Sequence, residues 1–251
     1  MKKLFLSVLM LVFAFQVFAQ DQEAAIDASK PTNFYTLLDN QLEYNAGSQQ
    51  VGYRASIMYS PREKHLLMGE LPILHNLNSK FTGLGDIRMR YFYLPHKDYS
   101  KVLGAFGPSI DVYAPTGDFN KGLGSGRWIV APGITAGILV TDWISFFPVL
   151  SYMYQSQRMV ATDPESVKKF GDPREMHGMS FQLITPIVFS ERFFSMITPV
   201  IQMPDFRNGQ TNLACEFMAQ YALTPKAQIS GFYKTDQRMG NIFRLGMTFY
   251  L

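Results

Sequence analysis

The chain closes on a run of strict alternation. Over residues 241–251, Phe243, Leu245, Met247, Phe249 and Leu251 are apolar, while Arg244, Gly246, Thr248 and Tyr250 between them are small, polar or amphipathic. A period of two places one set on each face of a β-strand. The other end reads as an export signal over residues 1–19: Lys2 and Lys3, an apolar stretch over 4–18, then Val17-Phe18-Ala19 as a small-residue cleavage site. A helical anchor is the competing reading of that stretch, which Ser7 and Gln16 interrupt. Export together with an aromatic-aliphatic final strand points to a β-barrel of the outer membrane. There the apolar face turns outward to lipid and the polar face inward.

Beyond the signal no apolar run approaches the ~20 residues that a spanning helix needs. The best stretch covers only 146–150. This excludes a helical inner-membrane protein and leaves two classes, a secreted soluble β-protein and a closed barrel. Both satisfy the backbone internally, but only the closed barrel does so in hydrocarbon. The two signal lysines account for two of the formal +3 charges, leaving about +1 on the mature chain. So neutral a balance gives no argument for nucleic acid. The single Cys215 forms no internal disulfide and, on the proposed lipid face, reads as a small apolar filler. The 13 Tyr and 21 Phe suit the aromatic girdles of a membrane barrel.

The segment 20–36 reads as a polar periplasmic lead-in, and 37–251 as a single antiparallel up-and-down barrel of about twelve strands. The expected spans are 37–46, 50–60, 64–74, 84–95, 101–114, 127–140, 142–156, 176–190, 192–205, 211–223, 226–235 and 241–251. In 50–60, Val51, Tyr53, Ala55, Ile57 and Tyr59 share one face, opposite Arg54 and Ser56. Joins after even-numbered strands are short, whereas 75–83, 115–126 and 157–175 are long and follow odd-numbered ones. Short turns on one rim and long loops on the other is the arrangement of outer-membrane barrels. An even count also brings both termini to the short-turn rim. Pro72, Pro108, Pro132, Pro148, Pro186 and Pro199 fall inside these spans and are expected to mark bulges or shortened strands.

Three motifs occur in order: Gly83-Leu84-Gly85-Asp86; a strand over 107–114 ending in Pro115-Thr116-Gly117-Asp118; and Gly122-Leu123-Gly124-Ser125-Gly126-Arg127-Trp128. Over residues 66–157 the chain resembles the transporter-like outer-membrane barrels named after the meta-pathway of phenol degradation. An uncharacterised outer-membrane barrel family of similar length fits as well. The resemblance implies a channel-like barrel for small hydrophobic or aromatic compounds, with no catalytic residues to carry over. By itself 122–126 reads as a flexible extracellular loop: it lacks the Gly-Lys-Ser/Thr ending of a phosphate loop and precedes a strand.

With the apolar faces outward, the inward charges are Asp39, Glu43, Arg54, Glu70, Asp86, Arg88, Arg90, Asp111, Glu216, Lys234 and Arg244. A charge on the lipid face at mid-depth costs ~2–4 kcal/mol, which is the physical reason for placing them inside. Two readings of this near-balanced set stand: a salt-bridged filling of a closed structural or surface-interaction barrel, or the lining of a conducting path. Arg88 and Arg90, with Arg54, are the candidate selectivity feature and favour an anionic or carboxylated solute. Enzymatic chemistry finds no support in the sequence. His65, His75, His96 and His177 form no paired metal spacing, and His177 and Ser180 alternate to opposite faces of one strand. The expectation is therefore a monomer in outer-membrane lipid, without cofactor or metal, passing a small solute passively.

Overall fold

The structure, a computed structural model, describes residues 34–97, 99–158 and 173–251. The expected signal 1–19, the lead-in up to residue 33 and residues 159–172 of the long loop lie outside the described residues. The first three strands are β1 (Leu37–Asn45), β2 (Gln50–Arg62) and β3 (His65–Asn76). β4 runs in three pieces, Phe81–Leu84, Ile87–Tyr93 and His96–Lys97. β5 (Leu103–Ala114), β6 (Ile129–Leu139), β7 (Ser145–Gln155) and β8 (Met176–Ser190) follow. The chain then completes β9 (Phe193–Met203), β10 (Asn212–Thr224), β11 (Ala227–Asp236) and β12 (Gly240–Tyr250).

Each strand pairs antiparallel with its neighbours in sequence, and β1 pairs with β12 in the register Glu43↔Arg244 and Leu42↔Leu245. The result is a closed antiparallel barrel of twelve strands. Closure leaves no sheet edge, the one way a sheet can satisfy its backbone in hydrocarbon. Both described termini lie on the short-turn rim, where Leu251 N donates to Thr36 O at 3.0 Å.

Exposure settles which face is which. Leu245 is 72% exposed and Leu42 and Ile134 are each 65% exposed, whereas Glu43, Ser180, Thr198 and Thr248 are buried. A soluble sandwich hides its leucines between sheets; here they coat the outside and the polar residues point in. The outer surface is therefore one that hydrocarbon, not water, must cover.

The prolines behave differently from expectation. Register runs without a shift through Pro108, Pro132, Pro148, Pro186 and Pro199. Each proline removes one donor; between β6 and β7 the pairing lapses over two positions at Pro132 and at Pro148 and resumes in the same register. Only Pro72 faces an irregularity. Opposite it β4 gains a residue at Gly85-Asp86, between the pairs Ile73↔Leu84 and Glu70↔Arg88, and Gly85 N donates to Pro72 O at 2.9 Å. A second shift in β4 lies between Phe92↔Ser109 and His96↔Phe106, at Pro95. There the chain passes so close to β5 that a Cβ at Gly107 would stand 1.9 Å from Tyr93 O.

The lumen and its candidate selectivity belt

Because alternate residues of every strand point inward, charged side chains on neighbouring strands meet along the inner wall. Glu43 on β1 accepts from Arg54 Nε of β2 at 2.9 Å and from Arg244 Nε of β12 at 2.6 Å. Arg54 turns its other end to Glu70 on β3. Glu70 stands in register with Arg88 on β4, and Arg88 grips Asp111 of β5 through two bonds of 2.9 and 2.6 Å. Arg90 reaches the same carboxylate through Nε at 3.0 Å. Farther round, Lys234 on β11 lies 3.1 Å from Glu216 on β10 and 3.8 Å from Asp236. The belt thus follows the wall from β10 through β12 and β1 to β5. Aromatic rings back it: Arg88 lies over Tyr113, Arg90 over Phe92 and Arg244 over Phe232, at 5.0, 5.5 and 4.7 Å from the ring centroids.

Across from the belt, β6 to β9 present no charge at the corresponding positions. Ala131, Val149, Ser151, Ser180, Gln182 and Gln202 line a cavity of about 60 Å³ whose other wall is Arg90, Asp111 and Tyr113. One carboxylate serves two guanidinium groups here, so this sector of the belt is net positive. The bonds of Arg90 to Asp111 use Nε and Nη2, and Arg90 is itself part of the cavity lining.

Asp86, expected among the inward charges, lies apart from the belt. Among the described residues its carboxylate makes no ion pair; it accepts from Gly117 N at 3.1 Å and Ser125 N at 2.7 Å, both in the connection between β5 and β6. The bulge at Gly85-Asp86 turns the carboxylate toward that connection. Leu123, 2% exposed, lies against Gly83 and Gly117, where any side chain would collide with it, and its carbonyl oxygen comes close to Gly85. Gln50 donates to Gly122 O, and Ser79 Oγ donates to Lys121 O at 3.0 Å. A short 3-10 turn, Phe119–Lys121, is capped by Asp118, whose carboxyl the hydrogen bond and charge of Lys121 hold below the usual carboxylate range. Residues 122–126 therefore form a lid over the inner faces of β2 to β4, held by contacts that their glycines alone do not reveal. The three motifs of the sequence are the parts of this one latch.

Replacing Asp86 by asparagine keeps the shape but leaves one acceptor oxygen where two bonds are made. Charge-assisted bonds contribute ~1.5–3 kcal/mol each, so release of the latch becomes at least about tenfold easier. Amide hydrogen exchange over residues 117–125 is the measurement, and unchanged protection there would show that Leu123 alone holds the lid.

At the opposite mouth the residues before β1 cross the opening. Phe34 lies 6.4 Å from Phe92 of β4, ring centroid to ring centroid, and Tyr35 meets Tyr250 edge-on at 5.8 Å. Neither contact was legible in the sequence, and nor was Asp236 as a third member of the Lys234 group. The remaining expected positions, Arg54, Glu70, Arg88, Arg90, Asp111, Glu216, Lys234 and Arg244, are the belt described above. Among the described residues no group of His, Cys, Asp or Glu is placed to hold a metal.

A closed barrel with lipid-ready walls and a charged interior defines a β-barrel protein of the outer-membrane type. No protein-family model matches the chain, and no curated protein does. Among solved structures it is similar to the NanC porin, with 15% identity and a TM-score of 0.66 over 85% of this chain and 100% of that one. It is also similar to an outer membrane channel from Pseudomonas putida F1, with 13% identity and a TM-score of 0.60 over 91% and 100%. The KdgM porin matches at 11% identity and a TM-score of 0.59, over 86% and 99%. At such identities the likeness is one of fold.

Proposed function

We propose that this protein resides in the outer membrane as a monomeric passive channel for a small solute. The observation that carries the reading is the direction of the interior ion pairs. Among the described residues every pair of the belt joins neighbouring strands or lies within one strand, and none reaches across the lumen. Paired along the wall, the side chains lie flat and line a path; paired across it, they would fill one. The porin and channel names carried by the similar solved structures agree with this reading.

The solute proposed is small and carries an anionic group, with Arg90 as its contact and the neutral arc of Ser151, Ser180 and Gln182 opposite. Arginine-on-aromatic stacks along the same wall also accept a flat apolar body. This accommodates the aromatic compounds that the phenol-pathway resemblance implies, and the proposal extends to that family. Arg54, Glu70, Arg88, Asp111, Glu216, Lys234 and Arg244 hold the field; Asp86 holds the lid.

Single-channel conductance in planar bilayers tests the reading, and a folded barrel that passes neither ions nor small solutes would sink it. Arg90→Gln is the sharper variant, because Asp111 keeps Arg88 and no buried carboxylate is orphaned. The expected result is a reversal potential shifted toward cations by several-fold in permeability ratio, with the barrel still folded. The lid at one mouth and Phe34 at the other favour a second reading, a closed barrel with structural or surface-binding work. In that case deletion of 117–125 opens no conductance.

A further inference from the structure

We infer that the outer wall carries a binding site for one phospholipid of the leaflet on the short-turn side. Its acyl chain lies in a groove over β4 to β7, with its headgroup at the rim.

The groove has a volume of about 470 Å³ and is lined by Pro95, His96, Phe106, Pro108, Ile134, Ala136, Pro148 and Leu150. Strand parity places its floor outside the barrel. Asp111 points into the lumen, so Phe106 and Pro108 point out, in register with Ala136 and Ile134 of β6; Ile134 in turn pairs with Leu150 of β7. The cause of the dent is local. Pro95 has no N–H to give, β4 shifts register there, and the outward positions beside it are the short side chains of Pro108, Ala136 and Pro148. His96 stacks on Phe106 at 4.4 Å and closes one side of the groove.

Its position along the wall identifies the occupant. The groove begins beside the turn after β4, at the short-turn rim, and climbs to Ile134 and Leu150. Each lies five residues from the rim end of its strand, Leu139 or Ser145. At a rise of ~3.3 Å per residue and a tilt of ~45°, that is a depth of about 12 Å, close to one leaflet of a ~30 Å hydrocarbon core. An apolar channel one leaflet deep, open along its length to lipid and starting at the interface, fits a single acyl chain. Charge at the rim fits the headgroup. Lys64 Nζ donates to Pro95 O at 3.0 Å beside the groove mouth, and Lys101 is exposed on the turn after β4, both suited to a phosphate. Exposed Trp143, on the neighbouring turn between β6 and β7, adds an interfacial anchor.

The test is native mass spectrometry of the full barrel, released from detergent micelles supplied with dioleoylphosphatidylethanolamine. The native protein is expected to retain one lipid in most molecules. Ala136→Trp fills the groove from the lipid side without touching the lumen, and at least a tenfold drop in retained lipid is expected. Ala219→Trp, outward on β10 and away from the groove, is expected to retain lipid as the native protein does; heat-modified electrophoretic mobility confirms that each variant is folded. Equal retention by the Ala136 variant and the native barrel overturns the site, and so does equal loss in both variants. Conductance plays no part in the readout, so the outcome is independent of whether the lumen conducts.

Discussion

Replacement of Glu43 by glutamine is expected to destabilise the barrel by about 3 kcal/mol, the low end of the ~3–5 kcal/mol measured when one partner of a buried ion pair is removed. Glu43 is 7% exposed, and its carboxylate is the acceptor for both Arg54 and Arg244. Glutamine fills the same space, so no cavity arises; what is lost is the negative charge between two guanidinium groups. Arg54 keeps Glu70, but Arg244 is left with the ring of Phe232 and the more distant carboxylate of Asp39. The lower figure is chosen because the two arginine side chains are 15% and 19% exposed and lumen water solvates them in part. Reversible urea unfolding in lipid vesicles, followed by the two tryptophans, measures the loss. Adding Arg244→Met to the same chain is expected to recover more than half, since the orphaned charge then disappears. A loss under about 1 kcal/mol for the single change would mean that a wide water column hydrates the arginines, and the belt would then be a solvated lining only.

How much of this was readable beforehand follows from what alternation can and cannot carry. Strand boundaries, the rim of each turn and the inward set all come from a period of two under one lipid rule, and Arg244 between Phe243 and Leu245 shows why. A charge so placed has only one affordable direction. What alternation omits is the partner. Glu43 and Arg244 are 201 positions apart, and only the closing register of β1 on β12 puts them face to face. Alternation places Asp86 among the inward charges but does not show its partners, two amide groups of a distant connection that the bulge at Gly85 brings within reach. The glycines of 122–126 suggested freedom but provide room for Leu123 and Asp86 to come close. Prolines suggested bulges or shortened strands, yet at five of the six positions the register runs on unshifted. The contact of Phe34 with Phe92 had no periodic signature at all.

Leu245→Arg is the second large effect, and it tests the solvent rather than the interior. Leu245 sits at the middle of β12, 72% exposed, in register with Leu42 on one side and Gly231 on the other. If hydrocarbon covers this face, an arginine there costs ~2–4 kcal/mol at the midplane. On a water-facing surface the same exposed substitution would stay within about 0.5 kcal/mol. Depth supplies the internal control. Leu223, outward near the short-turn end of β10, is 48% exposed, and arginine at that level costs only ~0–1 kcal/mol. The expected result of the same unfolding measurement is therefore a gradient, steep at Leu245 and shallow at Leu223. No packing argument inside a protein core gives that pattern, because both side chains are exposed and neither leaves a cavity. Equal and small costs at the two positions would mean that water wets the apolar coat, and the barrel would then not be a membrane protein.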